Sequence, residues 1–382
     1  MDLGEARLYE IEVWSQAGQR IADISALCFS RSYTLLRNDA ELLTFSVDLN
    51  KFERYCLDNL GGMDPHVLLN PDVSDIKIKR AGQYLFGTQV VDVNFNDATD
   101  ASTAGAAGSQ QLDIVTITCT GYLNLTKDRY VTKSYAGVER TSIANDLLAS
   151  TQGQPNGSLG ITSYSIQFAT GVVSDRGYVL DNVKLKLQEL CALTDAPFDM
   201  GFDSFKVFYT YAQIGARRQD INLIWGGPLG NVSAFSLDRS AINLFNKIYG
   251  LGSGFGDAQL TSTQMDLISQ ANYYIREQIQ QFSSVDLQPT LDQDTSTVLS
   301  LAKDMLELPV VTITTKEVPV DASGISHFFS VGDRIPLRVL NHTWLANING
   351  LYRIEQIDVS IDENDFETIK LTFDNYQVNQ SE

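Results

Sequence analysis

Leu112–Val131, LDIVTITCTGYLNLTKDRYV, is the stretch on which the reading of this chain turns. Ile114, Val115 and Ile117 stand among the β-branched Thr116, Thr118 and Thr120, the composition of a strand, and the pattern breaks at Gly121-Tyr122 into a mixed polar segment. Upstream of the break the chain reads as all β, and downstream helical spacings begin. The stretch is therefore read as a domain hinge whose strand closes the first β unit.

Working outward towards the N-terminus, Ile11 and Val13 alternate with Glu10 and Glu12, Phe45–Leu49 repeats the period of two, Ile76 and Ile78 alternate with Lys77 and Lys79, and Tyr84–Val93 follows the turn at Ala81-Gly82. Successive half-buried strands without long helices between them suggest an antiparallel barrel or sandwich at about 1–121. The run of small residues at 97–111 has no apolar anchor and is expected to be a mobile loop or an interaction arm.

Towards the C-terminus, Ile143, Ala144, Leu147 and Leu148 recur at helical spacing, and a second helix is expected at Asn182–Leu193 with Asp181 as its cap. With strands at Ser163–Phe168 and Phe202–Tyr211, these make an α+β domain at 122–212. Strands return at Ile221–Trp225, Val232–Leu237 and Ala241–Tyr249, and again at Val310–Val318, Arg334–Leu340, Leu351–Ile361 and Phe366–Phe373. Between them a helix at Thr263–Phe282, with Met265, Ile268, Ile275, Ile279 and Phe282 on one stripe, and another at Thr295–Leu306 predict a helical insertion. The second β domain is thus read as 213–250 and 308–376, with the insertion at 251–307.

A chain of 382 residues exceeds the ~250–300 that one hydrophobic core usually serves, so several domains are expected. The 47 acidic against 28 basic residues give a formal charge of −19, which repels nucleic-acid backbone and anionic membrane. Cys28, Cys56, Cys119 and Cys191 are widely spaced and read as free buried thiols. The acidic start MDLGEARLYEIEVW is unlike a signal peptide, and no run of 18 apolar residues is present.

Motifs that carry chemistry are largely missing. His66, His327 and His342 lack metal-ligand spacing, no nucleophile elbow or Walker loop occurs, and Gly250–Gly256 spells a flexible connection without the Lys-Ser/Thr of a phosphate loop. Asp92, Asn94 and Asn96 open like a calcium loop, but Asp97 and Thr103 stand where glycine and glutamate belong. Asp362, Glu363, Asp365 and Glu367 read as a solvated hairpin tip before they read as a carboxylate pair. No catalytic, cofactor-binding or metal-binding residue is assigned, and the chain is not read as an enzyme.

Pro71–Arg80 (PDVSDIKIKR), Gly87–Val90 (GTQV), Thr118–Leu125 (TCTGYLNL), Ala241–Gly250 (AINLFNKIYG), Val331-Gly-Asp333 and Gly350–Ile354 (GLYRI) resemble segments of the tail (baseplate) hub proteins of long-tailed bacteriophages. That family is related to the hubs of contractile tails and to VgrG spikes. The resemblance spans nearly the whole chain. It implies a mainly β fold with two small antiparallel β-barrels, an α+β domain and a helical insertion. It also implies a homotrimer whose six barrels continue the six-fold tail tube and narrow to three-fold symmetry around the DNA channel. The implied partners are the tail tube or a distal tail protein ring, the tape measure protein, tail fibre or spike proteins, and DNA in transit only. The implied location is the virion tail tip, after assembly in the bacterial host cytoplasm. The alternative is a receptor- or carbohydrate-binding β protein of the virion, which predicts that Trp14, Trp225 and Trp344 cluster on one exposed face.

Overall fold

The computed structural model of the chain describes residues 8–98, 112–163, 168–314 and 329–374. Residues 99–111 of the small-residue loop, 164–167, 315–318 and His327 lie outside them.

The first β region contains β1 (Tyr9–Trp14), β2 (Arg20–Asp23), β3 (Cys28–Leu36), β4 (Leu42–Asp48), β5 (Asp75–Arg80), β6 (Gln83–Ala98) and β7 (Leu112–Gly121). Two helices that periodicity does not announce, α1 (Leu49–Asn59) and α2 (Pro65–Leu68), separate β4 from β5. The Asp48 carboxylate accepts the Lys51 N–H to start α1, which buries only Phe52 and Cys56, one turn apart. β7 is an interior strand and not a closing one. It lies between β4 and β6, with the fully buried Ile117 opposite Phe45 on one side and Val93 on the other. The break at Gly121 has a steric cause: a Cβ there would lie 2.7 Å from the Glu41 backbone nitrogen, so only glycine lets the chain leave the sheet at this point.

The segment that follows holds β8 (Tyr130–Glu139), α3 (Arg140–Gln152), β9 (Thr162–Ser163), β10 (Val173–Asn182), α4 (Val183–Ala192), β11 (Asp199–Phe202) and β12 (Val207–Tyr211). Asn182, not Asp181, caps α4, its side chain accepting the Leu185 N–H at 3.1 Å. Ile143, Ala144, Leu147 and Leu148 of α3 pack with Val183, Leu187 and Leu190 of α4 and with Phe198 and Phe208 in a core separate from that of the large sheet.

The remaining elements are β13 (Leu223–Trp225), β14 (Ala234–Ser240), β15 (Lys247–Leu251), β16 (Thr261–Met265), α5 (Leu267–Tyr273), β17 (Glu277–Gln281), α6 (Gln288–Ala302), β18 (Leu306–Thr314), β19 (Arg334–Val339), β20 (Asn349–Ile361) and β21 (Glu367–Phe373). The inserted segment is not purely helical. The expected helix at Thr263–Phe282 is replaced by strand, short helix and strand, and β16, β15 and β17 form a three-stranded sheet that α6 covers on one face.

Two separate closed barrels are not what the described strands form. Thirteen of them make one sheet ordered β14-β18-β21-β20-β3-β4-β7-β6-β5-β1-β2, with β19 attached to β20 and β13 to β19. The joint is β3, which pairs with β4 on one side and with Gln356–Ile361 of β20 on the other. An edge that a closed barrel would pair within its own unit is used between units instead. One continuous apolar core accordingly runs from Tyr9 to Phe373.

Candidate functional site

What the fold builds with most care is a set of buried polar joints between its units. At the first, Arg80 of β5 donates to Glu367 of β21 at 2.6 and 3.0 Å, with both side chains almost fully buried. The Tyr9 hydroxyl donates to the same carboxylate and lies 3.2 Å from that of Tyr33. Burial, and then the neighbouring Tyr33 and Glu367, push the Tyr9 phenol far above its ordinary range. Nearby, Asp365 pairs with Arg31 at 2.8 Å and accepts the Leu8 N–H. The acidic turn at Asp362–Glu367 is therefore docked on the first β region, not simply solvated.

Asp199 of β11 makes the second joint, and it ties three units together. Its carboxylate accepts from Arg37 at 2.8 Å and Asn38 at 2.9 Å just beyond β3, from Arg353 of β20, and from the Ile214 N–H at 2.7 Å. Arg37 also reaches both oxygens of Glu355 at 2.8 Å. Burial alone would raise the Asp199 carboxyl, but Arg353, the Ile214 N–H, Arg37 and Asn38 together hold it below the usual carboxylate range.

The β11–β12 hairpin leans on the first β region through two lysines. Lys206 pairs with the buried Asp75 at 2.7 Å. Lys77, itself buried, lies between two aromatic rings, 3.6 Å from the centroid of Trp14 and 3.8 Å from that of Phe205. Desolvation brings its ammonium down to about 8. The insertion is pinned in the same way: Arg176 of β10 donates to Asp294 of α6 at 2.7 Å, and both are buried. Burial pushes the Asp294 carboxyl up against the pull of Arg176.

The residues weighed for chemistry from sequence are not gathered into one site. His66 is exposed on α2, and His342 stacks on Trp225 with ring centroids 4.5 Å apart. Asp92 and Asn94 sit two apart on the long strand β6. Gly250 is a packing residue, because a Cβ there would lie 2.0 Å from the Thr295 hydroxyl of α6. Among the described residues, no three His, Cys, Asp or Glu side chains converge to hold a metal ion, and no helix is long and apolar enough to cross a membrane. All four cysteines are buried, and none is joined in a disulfide.

Two further concavities are lined by described residues. A cleft of about 510 Å³ between the first β region and the α+β unit is lined by Gln16, Gln89, Asn124, Lys127 and Arg129, and its buried cation is the Lys206 already paired with Asp75. A shallow groove of about 450 Å³ along β14 is lined by Trp225, Phe235, Asp238, Arg239 and Trp344. Trp225 and Trp344 thus share a surface, while Trp14 lies at the lysine sandwich elsewhere.

No protein-family model and no curated protein matches this sequence. Solved structures do match. A tail protein from Neisseria meningitidis MC58 superposes with a TM-score of 0.60 at 10% identity, covering 96% of both chains. The 43 kDa tail protein of prophage MuSo2 from Shewanella oneidensis gives 0.57 at 12%, covering 95% of this chain and 98% of that one. The chain has the fold of these two tail proteins. A chain of the lidded PdpA–VgrG complex of Francisella gives 0.51 at 10%, over 97% of this chain and 53% of that one. The tail-protein fold therefore extends across the first β region, the α+β unit, the insertion and the second β region together. The buried joints were beyond the reach of sequence reasoning, since Arg80 and Glu367 are 287 positions apart and Asp199 and Arg353 154 apart.

Proposed function

We propose that this protein is the hub of a phage tail tip, a structural and non-enzymatic virion component. In this reading three copies form a ring that continues the tail tube and converts its six-fold symmetry to three-fold around the DNA channel. Its partners are further copies of itself, the tail tube or a distal tail protein ring, the tape measure protein, and tail fibre or spike proteins. The proposed units are 1–121, 122–212, 213–250 with 308–376, and the insertion 251–307. Assembly takes place in the bacterial host cytoplasm.

The observation that supports this reading most is the likeness to two tail proteins over nearly the full length of both partners. The buried ion pairs at the joints suit the role, because a ring element must keep its units in fixed relation while load passes through it. A charge of −19 suits a lumen along which phosphate slides without sticking. Gold-labelled antibody against the chain, imaged on purified particles, is expected to mark the end of the tail opposite the head. Labelling of the head or of no particle would refute the assignment.

A second reading rests on one observation, the shared groove of Trp225 and Trp344 beside Asp238 and Arg239, which offers an aromatic wall and polar groups to a sugar. On that reading Trp344→Ala abolishes retention on immobilised cell-wall glycans. On the hub reading neither the native chain nor the variant is retained.

A further inference from the structure

The segment Met265–Ile279 holds six large apolar side chains in solvent: Met265, Leu267, Ile268, Tyr274, Ile275 and Ile279, between 55% and 78% exposed. Strand register explains part of this. Ile248 and Gly250 of β15 face α6, whereas the next row on the opposite face places Met265 beside Lys247 and Glu277, and Ile279 beside Tyr249. That second face carries no covering element among the described residues.

The surface is held in shape from beneath. Asn246, fully buried, donates to the Tyr274 carbonyl at 2.7 Å and accepts the Arg276 N–H at 2.8 Å, clamping both sides of the turn into β17. Tyr274 itself sits at φ +53, a left-handed conformation that a bulky residue adopts only where its surroundings impose it. Asp266 accepts the Ser269 N–H at 2.8 Å and pairs with Lys303 at 3.0 Å. An apolar surface fixed in advance loses little side-chain freedom when a partner covers it.

Charge and area select the partner. Copies of a chain that carries −19 repel one another, so a contact between them needs a stretch where charge is cancelled. Of the three charges in this segment, Asp266 is paired with Lys303 and Glu277 with Lys247 at 2.8 Å. A basic partner would find more to hold on the acidic remainder of the molecule. An interface of standard size takes about 800 Å² from each partner, and six large side chains that are each more than half exposed supply apolar area towards it.

We propose that Met265–Ile279 is the surface through which one copy of this chain contacts the next, an inference that rests on the ring reading above and assigns that ring's interface. The test is sedimentation velocity on the full chain, on the double variant Ile268→Glu with Ile275→Glu, and on Leu57→Glu, which alters an exposed apolar residue of α1. The native chain and Leu57→Glu are expected to sediment as trimers. The double variant, with unchanged circular dichroism, is expected to be a monomer at the same concentration, its association weakened at least a hundredfold. A double variant that remains trimeric overturns this interface and leaves the ring standing. A native chain that stays monomeric at all concentrations overturns both.

Discussion

Replacing Asp199 by alanine should loosen three units at once. Its side chain is 3% exposed and holds Arg353, Arg37, Asn38 and the Ile214 N–H, so truncation leaves two guanidinium groups facing a hole. Removing one partner of a buried ion pair costs about 3–5 kcal/mol. Arg37 keeps Glu355, which places the expected loss near the lower end, at about 3 kcal/mol. Urea unfolding followed by tryptophan fluorescence would measure it, and hydrogen exchange should show faster opening around Ile214 and Arg353 first. The pH dependence supplies a second readout. Because the folded carboxyl titrates below its unfolded value, its contribution is complete above about pH 4 and is lost as pH falls through the lowered value. A loss under about 1 kcal/mol, below what even one hydrogen bond to a charged group is worth, with exchange unchanged at Arg353, would refute the role given to this joint.

Three further outcomes are expected. Burial brings the Lys77 ammonium down from 10.5 to about 8 on folding, so stability should rise between those pH values, by on the order of 3 kcal/mol, and Lys77→Met should flatten that rise in pH-dependent urea titrations. Gly250→Ala drives a methyl group into the Thr295 hydroxyl and should cost about 1–3 kcal/mol, part of which Thr295→Ala restores in a double-mutant cycle. Ile117→Asp buries a carboxylate between Phe45 and Val93 and should cost several kcal/mol, seen as loss of soluble protein; normal expression would contradict its place in the core.

The sequence reached those parts of the fold whose burial is one-sided and regular. β7, β19 and β21 are buried at alternate positions and α3 and α4 repeat at helical spacing, whereas β1 and β5 were legible from their alternating apolar and charged residues although Glu12, Asp75 and Lys77 are buried as well. β3 was not, because CFSRSYTLL pairs on both edges and mixes buried Arg31 with buried Tyr33, which leaves no simple alternation. The omission mattered, since β3 is the strand that merges the two expected barrels into one sheet. Met265, Ile268, Ile275 and Ile279 misled in the opposite direction. Their spacing fits a buried helical stripe, yet strand pairing with β15 and the clamp of Asn246 turn them out to solvent. An apolar residue at helical spacing has the same signature whether it is meant for its own core or for a neighbour's surface.

The joints were illegible for a different reason. Arg37, Asp199 and Arg353 are ordinary charged residues in their local sequence, and only the folded chain brings them within hydrogen-bond distance. They also recast the hinge at Gly121. The chain changes character there, but the unit it enters is bound back onto the sheet by Lys206 at Asp75 and by Asp199 at Arg37 and Arg353, so the units are connected as a rigid scaffold.

The most direct test of the hub assignment is a cryo-electron microscopy map of the tail end of the particle that carries this chain. It should show three copies in a ring coaxial with the tube, each with its α+β unit held against the large sheet at Asp199. A tail end without this chain, or with the chain present as a single copy off the axis, would contradict it.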